Sequence, residues 1–119
     1  RKELIKYKVS ELEGVLLTHP DIADAAVIGV ENVKEATELP RAYVVHANPS
    51  KLTSQEAKEA FGRSVAQWMQ GKVAKHKYLR GGVVIIDAIP KSAAGKILRR
   101  ELRERAKTEL VDVGLKAKL

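Results

Sequence analysis

Apolar and polar positions change their period several times along the chain, and each change marks an element. Leu4–Tyr7 is short and partly apolar and predicts a strand. Leu12, Val15 and Leu16 then recur at helical spacing, and Ser10 followed by Glu13 predicts a capping box at the start of that helix. His19-Pro20-Asp21 ends it, because proline disfavours a helical residue before it. Ile22–Val30, rich in Ala, Val and Ile, predicts a strand; the polar Glu31–Pro40 reads as a hairpin-like connection; Arg41–Ala47 alternates around Tyr43 and Val45 as the return strand. Asn48-Pro49-Ser50 is a turn. Thr53 with Glu56 predicts a second capping box, and Ala57, Phe61, Val65 and Trp68 form the stripe of a helix ending near Gly71. Trp68 belongs to that core stripe rather than to a ligand site. Gly81-Gly82 precede Val83–Asp87, a predicted buried strand, and Pro90–Gly95 reads as a loop. Ile97 starts a last helix with Leu98, Leu102, Ala106 and Leu110 on one face, and beyond Val111 the pattern is lost.

The order β-α-β-β-α-β-α predicts an α+β fold, a small mixed sheet with packed helices. Residues 1–110 are expected to form one domain and 111–119 a flexible tail. With 119 residues there is room for one modest core, and 45% hydrophobic and 31% charged residues fit a globular chain rather than a disordered one. No cysteine is present, which excludes disulfides and thiolate metal sites. The longest apolar run, Val83–Ile86, is far too short to span a bilayer, and Arg1-Lys2-Glu3-Leu4 has no signal-peptide core. The chain does not begin with Met, so it is expected to be a piece of a longer one.

The net charge of +7 is unevenly placed. Between Lys91 and Lys107, seven basic residues face only Glu101 and Glu104, a surplus of five. Such a cluster favours an anionic partner, phosphates, nucleic acid or a membrane surface, with a solvated helix face as the plain alternative.

The segment Pro90-Lys91-Ser92-Ala93-Ala94-Gly95-Lys96-Ile97-Leu98-Arg99 carries the candidate chemistry. Gly95 gives the backbone conformational freedom, the small Ser92, Ala93 and Ala94 impose little bulk, and Lys96 is a long point charge at a loop tip. Such a group can bridge a carboxylate and a phosphate while charge builds on both. A Walker phosphate loop is excluded: Pro90 stands where that pattern needs Gly, and Ile97 where it needs Ser or Thr. Residue types alone leave open an ordinary basic turn before an amphipathic helix.

Pro-Lys-Ser-x-x-Gly-Lys-Ile-Leu-Arg at 90–99, preceded by a predicted strand and Asp87-Ala88-Ile89, resembles the C-terminal lysine motif of the adenylate-forming superfamily. That superfamily includes acyl- and aryl-CoA synthetases, 4-coumarate–CoA ligases, luciferases and peptide-synthetase adenylation domains. Arg1-Lys2-Glu3-Leu4-Ile5-Lys6-Tyr7-Lys8 resembles its hinge-proximal motif. His19-Pro20-Asp21-Ile22-Ala23-Asp24-Ala25-Ala26-Val27 and Glu38-Leu39-Pro40-Arg41-Ala42-Tyr43-Val44-Val45 are similar to its usual run in the same order. The resemblance covers Arg1 to about Arg105 and is nearest to the acyl-CoA synthetase and 4-coumarate–CoA ligase-like branch.

The resemblance implies the mobile C-terminal domain of an enzyme that uses ATP to turn a carboxylic acid into an acyl-adenylate and then transfers the acyl group to CoA. It implies Lys96 as the catalytic residue, in contact with the acid and the α-phosphate, with Gly95 beside it at the nucleotide. After rotation of the domain, Lys2, Lys6 and Lys8 would line the pantetheine channel. Their plain alternative is alternate solvent-facing strand positions. Mg2+ would be held mainly by the enzyme's own N-terminal domain, which also holds the acid. Transfer to a carrier-protein thiol, or luciferase-type oxidation, stays open for the second step.

The family pattern continues after the position of Lys8 with Lys-Gly-Phe-Gln-Val and then Ser-Pro-Ala before Glu-Leu-Glu. Here Lys8 runs straight into Val9-Ser10-Glu11, so about five residues are missing, including the glycine and aromatic that shape the thiol tunnel. Either a loop is omitted or it is deleted; deletion would put thioester formation in doubt and spare adenylation.

A rival of another class is a small basic module that binds nucleic acid or anionic lipid through Arg99, Arg100, Arg103 and Arg105. The five aromatics Tyr7, Tyr43, Phe61, Trp68 and Tyr78 are scattered and make no stacking motif, which argues against nucleic acid. The final Ala117-Lys118-Leu119 is close to the Ser-Lys-Leu address read by the peroxisomal import receptor. If Leu119 is the native C-terminus, peroxisomal import is expected, and otherwise a cytoplasmic location.

Overall fold

The computed structural model describes the backbone of residues 2–32, 37–73 and 78–118, and side-chain surroundings within 9–30, 39–73 and 78–109. The described chain forms α1 (Lys2–Leu16), β1 (Ile22–Asn32), β2 (Thr37–His46), a 3-10 turn at Pro49–Lys51, α2 (Gln55–Gln70), β3 (Val83–Ile85) and α3 (Arg99–Lys118). It divides into two compact units, Arg1–Ile89 and Pro90–Leu119. The α+β class holds.

In the larger unit, β1 and β2 pair antiparallel, with Ala25 opposite Val44 and Val27 opposite Ala42. β3 adds parallel to β2 through Ala42–Val83 and Val44–Ile85, after a crossover that contains α2. One sheet face carries Ala25, Val27, Ala42 and Val44 into a core with Leu12 and Leu16 of α1 and Val65 and Met69 of α2. Ala26, Ile28 and Tyr43, which alternate to the other face, are also buried. This is why β1 reads as a continuous apolar run instead of an alternating one. β3 is shorter than expected and only half-buried.

Two expectations about the first helix fail, the strand at Leu4–Tyr7 and the Ser10–Glu13 capping box. Lys2–Tyr7 is helical, not a strand. Lys2, Glu3, Leu4 and Lys6 are good helix formers, and the turn continues unbroken into Val9, Leu12 and Leu16, whose buried positions define one face. Ser10 lies inside that helix and caps nothing. The Glu13 carboxylate instead accepts the buried Val27 N–H of β1 at 2.8 Å, satisfying an edge-strand donor fourteen residues away.

α2 starts one residue later than the predicted box. Its N-cap is Ser54, whose hydroxyl accepts from Ala57 N–H at 3.0 Å, and Gly71 is its C-cap. Gly62 lets this helix approach β3 closely: a Cβ there would stand 2.9 Å from the Val83 carbonyl oxygen. Trp68 packs on the core, as expected, with the His19 ring 4.8 Å away edge-on. His19 and His46 each accept a backbone N–H at Nδ1, from Asp21 and Asn48, and so lock the turns that leave α1 and β2.

The turn before β3 is held by the buried Arg41. Its guanidinium donates to Gly81 O at 2.7 Å and to the Tyr43 hydroxyl at 3.2 Å, which satisfies a charge that would otherwise be costly to bury. Gly82 has φ +100°, open to glycine, and its carbonyl accepts from Ala42 N–H.

In the smaller unit, α3 begins at Arg99, two residues after the predicted start, with Leu102 and Ala106 buried on one face. The helix continues to Lys118, where the sequence pattern predicts a flexible tail; Ala117 and Lys118 are in its last turn and Leu119 lies outside the described residues. Leu, Lys, Ala and Glu favour helix over 109–118 strongly enough to carry it through Gly114. No helix among the described residues is long and apolar enough to cross a membrane.

Candidate active site

Pro90–Leu98 is a tight hairpin rather than an open loop. Lys91 and Ile97 form an antiparallel bridge, and Leu98 N–H donates to Pro90 O at 2.9 Å. Ser92 N–H donates to Lys96 O at 2.9 Å, and Gly95 N–H donates to Ser92 O at 2.8 Å. Ser92-Ala93-Ala94-Gly95 is therefore a four-residue turn, followed by Lys96 on the return arm. Gly95 takes φ +84°, the left-handed geometry that lets the chain reverse; a Cβ there would meet nothing within 4 Å, so glycine is required by conformation alone. Lys96 is exposed at the end of this reversal.

Gly95 and Lys96, neighbours in the sequence, both lie in the hairpin. Lys2, Lys6 and Lys8 belong to the other unit. Their backbone is in α1, and their side chains lie outside the described residues. With this backbone helical, Lys6 and Lys8 are not alternate positions of a strand.

Sequence reasoning missed Ser92, treating it as one small residue among three. Its hydroxyl accepts from Lys96 N–H at 3.2 Å. The signal was available: Ser at the first and Gly at the fourth position is a turn signature.

The charge surplus is arranged on α3. Arg105 pairs with Glu109 at 3.1 Å, and Lys107 lies 3.4 Å from Glu104. Arg100 and Arg103 are exposed beside them. Exposed pairs of this kind contribute little to stability, roughly 0.5 kcal/mol or less. The hairpin's two lysines and the helix's arginines give this unit a positive field suited to an anionic ligand. Among the described residues, no group of three or more His, Cys, Asp or Glu could hold a metal ion.

Residues 11–96 match the AMP-binding enzyme C-terminal domain. A protein of Emericella nidulans named as an acyl-coenzyme A synthetase is 50% identical over 125 residues, covering 100% of this chain and 21% of that protein. A phenylacetyl-CoA ligase of Aspergillus niger is 42% identical over 92% of this chain and 20% of its own length. Among solved structures, an acyl-CoA synthetase of Brucella canis superposes with a TM-score of 0.70 at 28% identity, over 86% of this chain and 18% of that one. The chain thus spans about a fifth of the length of these relatives. The match runs from within α1 to the hairpin lysine itself: the chain belongs to the family of AMP-binding enzyme C-terminal domains.

Proposed function

We propose that this domain is the C-terminal part of an ATP-dependent acid–thiol ligase, which activates a carboxylic acid as its acyl-adenylate and passes the acyl group to CoA. The observation that carries this reading is the hairpin that holds an exposed lysine on a left-handed glycine, within a domain of the AMP-binding family. Lys96 supplies a charge without a competing protein anion in the hairpin. Placed between a carboxylate and the α-phosphate, it offsets their repulsion and stabilises the charge that develops as the carboxylate displaces pyrophosphate. Its ammonium only donates and needs no proton transfer. Mg2+, when bound with ATP, supplies further charge neutralisation from groups outside the described residues. The reading is tested by acid-dependent exchange of labelled pyrophosphate into ATP by the ligase that carries this domain; exchange without added acid, or none with any acid, contradicts it.

The acyl pocket is proposed to lie in an N-terminal domain outside this chain, so the substrate is assigned only as a carboxylic acid, an aryl acid being one class that the name of the Aspergillus niger relative includes. Lys2, Lys6 and Lys8 are proposed to serve the CoA step. Replacing Lys6 and Lys8 together by Ala is expected to slow acyl transfer to CoA from preformed adenylate about tenfold, the scale of one lost charge contact, while exchange is spared. A fall confined to exchange rules that role out.

For a chain that ends at Leu119, Ala117-Lys118-Leu119 is proposed as a peroxisomal address. The last dozen residues fused to a fluorescent reporter should give punctate signal, lost on deletion of Leu119. Diffuse signal in both cases rules it out.

A further inference from the structure

We infer that Ser92 is the positioning residue for Lys96, an assignment that rests on the adenylation role just proposed. Both backbone polar groups of Lys96 bond to this one residue. Lys96 N–H donates to Ser92 Oγ at 3.2 Å, and Lys96 O accepts from Ser92 N–H at 2.9 Å. The Ser92 carbonyl in turn accepts from Gly95 N–H at 2.8 Å. The N–H, C=O and hydroxyl of Ser92 are all used inside the turn, and two of the three fix the peptide groups on either side of the Lys96 Cα.

This matters because of what lysine is. Its side chain has four rotatable bonds, so the ammonium can be aimed only as well as the Cα–Cβ direction is fixed. Gly95, at φ +84°, supplies the reversal and, with no side chain, restrains nothing after it. Ala93 and Ala94 carry no polar side chain, and Ser92 holds the one hydroxyl between Lys91 and Ile97. The Lys96 N–H is the amide that follows the glycine, where the turn would otherwise be loosest, and the serine hydroxyl is what it meets.

Ser92→Ala keeps the two main-chain bonds, so the hairpin persists with the Lys96 amide released. Ser92→Thr retains the hydroxyl. Both variants are compared with wild type and Lys96→Ala in the full ligase, by acid-dependent pyrophosphate exchange and by acyl transfer to CoA from synthetic acyl-adenylate. Ser92→Ala is expected to lower kcat for exchange about fivefold to tenfold, the range of one net hydrogen bond. KM for ATP should stay within about twofold and acyl transfer unchanged, because the lysine acts in the first half-reaction only. Ser92→Thr should restore most of the loss. Exchange within about twofold of wild type in Ser92→Ala, equal losses in both half-reactions, or failure of threonine to rescue would each overturn the assignment. Intact exchange in Lys96→Ala removes the underlying adenylation role as well, so the two failures are distinguishable.

Discussion

Lys96→Ala is expected to reduce acid-dependent pyrophosphate exchange by at least about two orders of magnitude, some ~3 kcal/mol of transition-state stabilisation. The lysine stands exposed at the end of a hairpin whose backbone bonds are internally satisfied, so truncating it removes a charge and disturbs no packing. Thermal stability of the domain should therefore be unchanged within about 0.5 kcal/mol. Acyl transfer from supplied adenylate should be close to normal, since phosphorus chemistry is finished by then. Arg at this position is not a conservative rescue. Its planar fork is bulkier and addresses two oxygens of one group, whereas the site needs a compact charge shared by two different anions. Near-normal exchange in Lys96→Ala would show that the hairpin is an ordinary basic turn.

Gly62→Ala is expected to destabilise the larger unit markedly. The new Cβ would stand 2.9 Å from the Val83 carbonyl oxygen and 3.7 Å from Val83 Cβ. The obstacle is backbone rather than a side chain that could rotate aside. α2 must then withdraw from β3, loosening Val65 and Met69, both fully buried in the same core. The usual helix-propensity gain of alanine over glycine, about 1 kcal/mol, is outweighed by overpacking of about 1–3 kcal/mol plus the packing lost around those two side chains. A net loss of about 2 kcal/mol should lower the midpoint of thermal unfolding by roughly 8–16 °C for a domain of this size. An unchanged or raised midpoint would mean that α2 and β3 have room to part at no cost.

The sequence shows α2 and the apolar parts of β1 and β2 plainly because apolar runs and stripes there coincide with burial: Val27, Ala42, Val44, Val65 and Met69 are all within the core, whereas the polar Thr37–Pro40, read as part of the connection, already belongs to β2. It misleads where a short segment fits two periods. Leu4-Ile5-Lys6-Tyr7 suits a strand or a helix, and what decides is continuity with Val9, Leu12 and Leu16, three of α1's buried positions. Capping was misplaced for two different reasons. At α2, adjacent Thr53 and Ser54 both qualify, and only the bond to Ala57 N–H chooses between them. At α1, Glu13 is spent on Val27, a contact fourteen residues away that no local pattern encodes. The site shows the same division. Lys96 and Gly95 are legible as a motif, whereas the role of Ser92 emerges only when the hairpin closes and its hydroxyl meets the Lys96 amide.

The most direct test of the central claim is a rapid-quench experiment on the ligase carrying this domain, with ATP labelled in the α-phosphate and an acid found active by exchange. Before CoA is added, acyl-adenylate and pyrophosphate should form in one burst of about one equivalent per site, with little free AMP; addition of CoA should then release AMP together with acyl-CoA. Formation of ADP and inorganic phosphate, or release of AMP without any acyl-adenylate, would contradict the account.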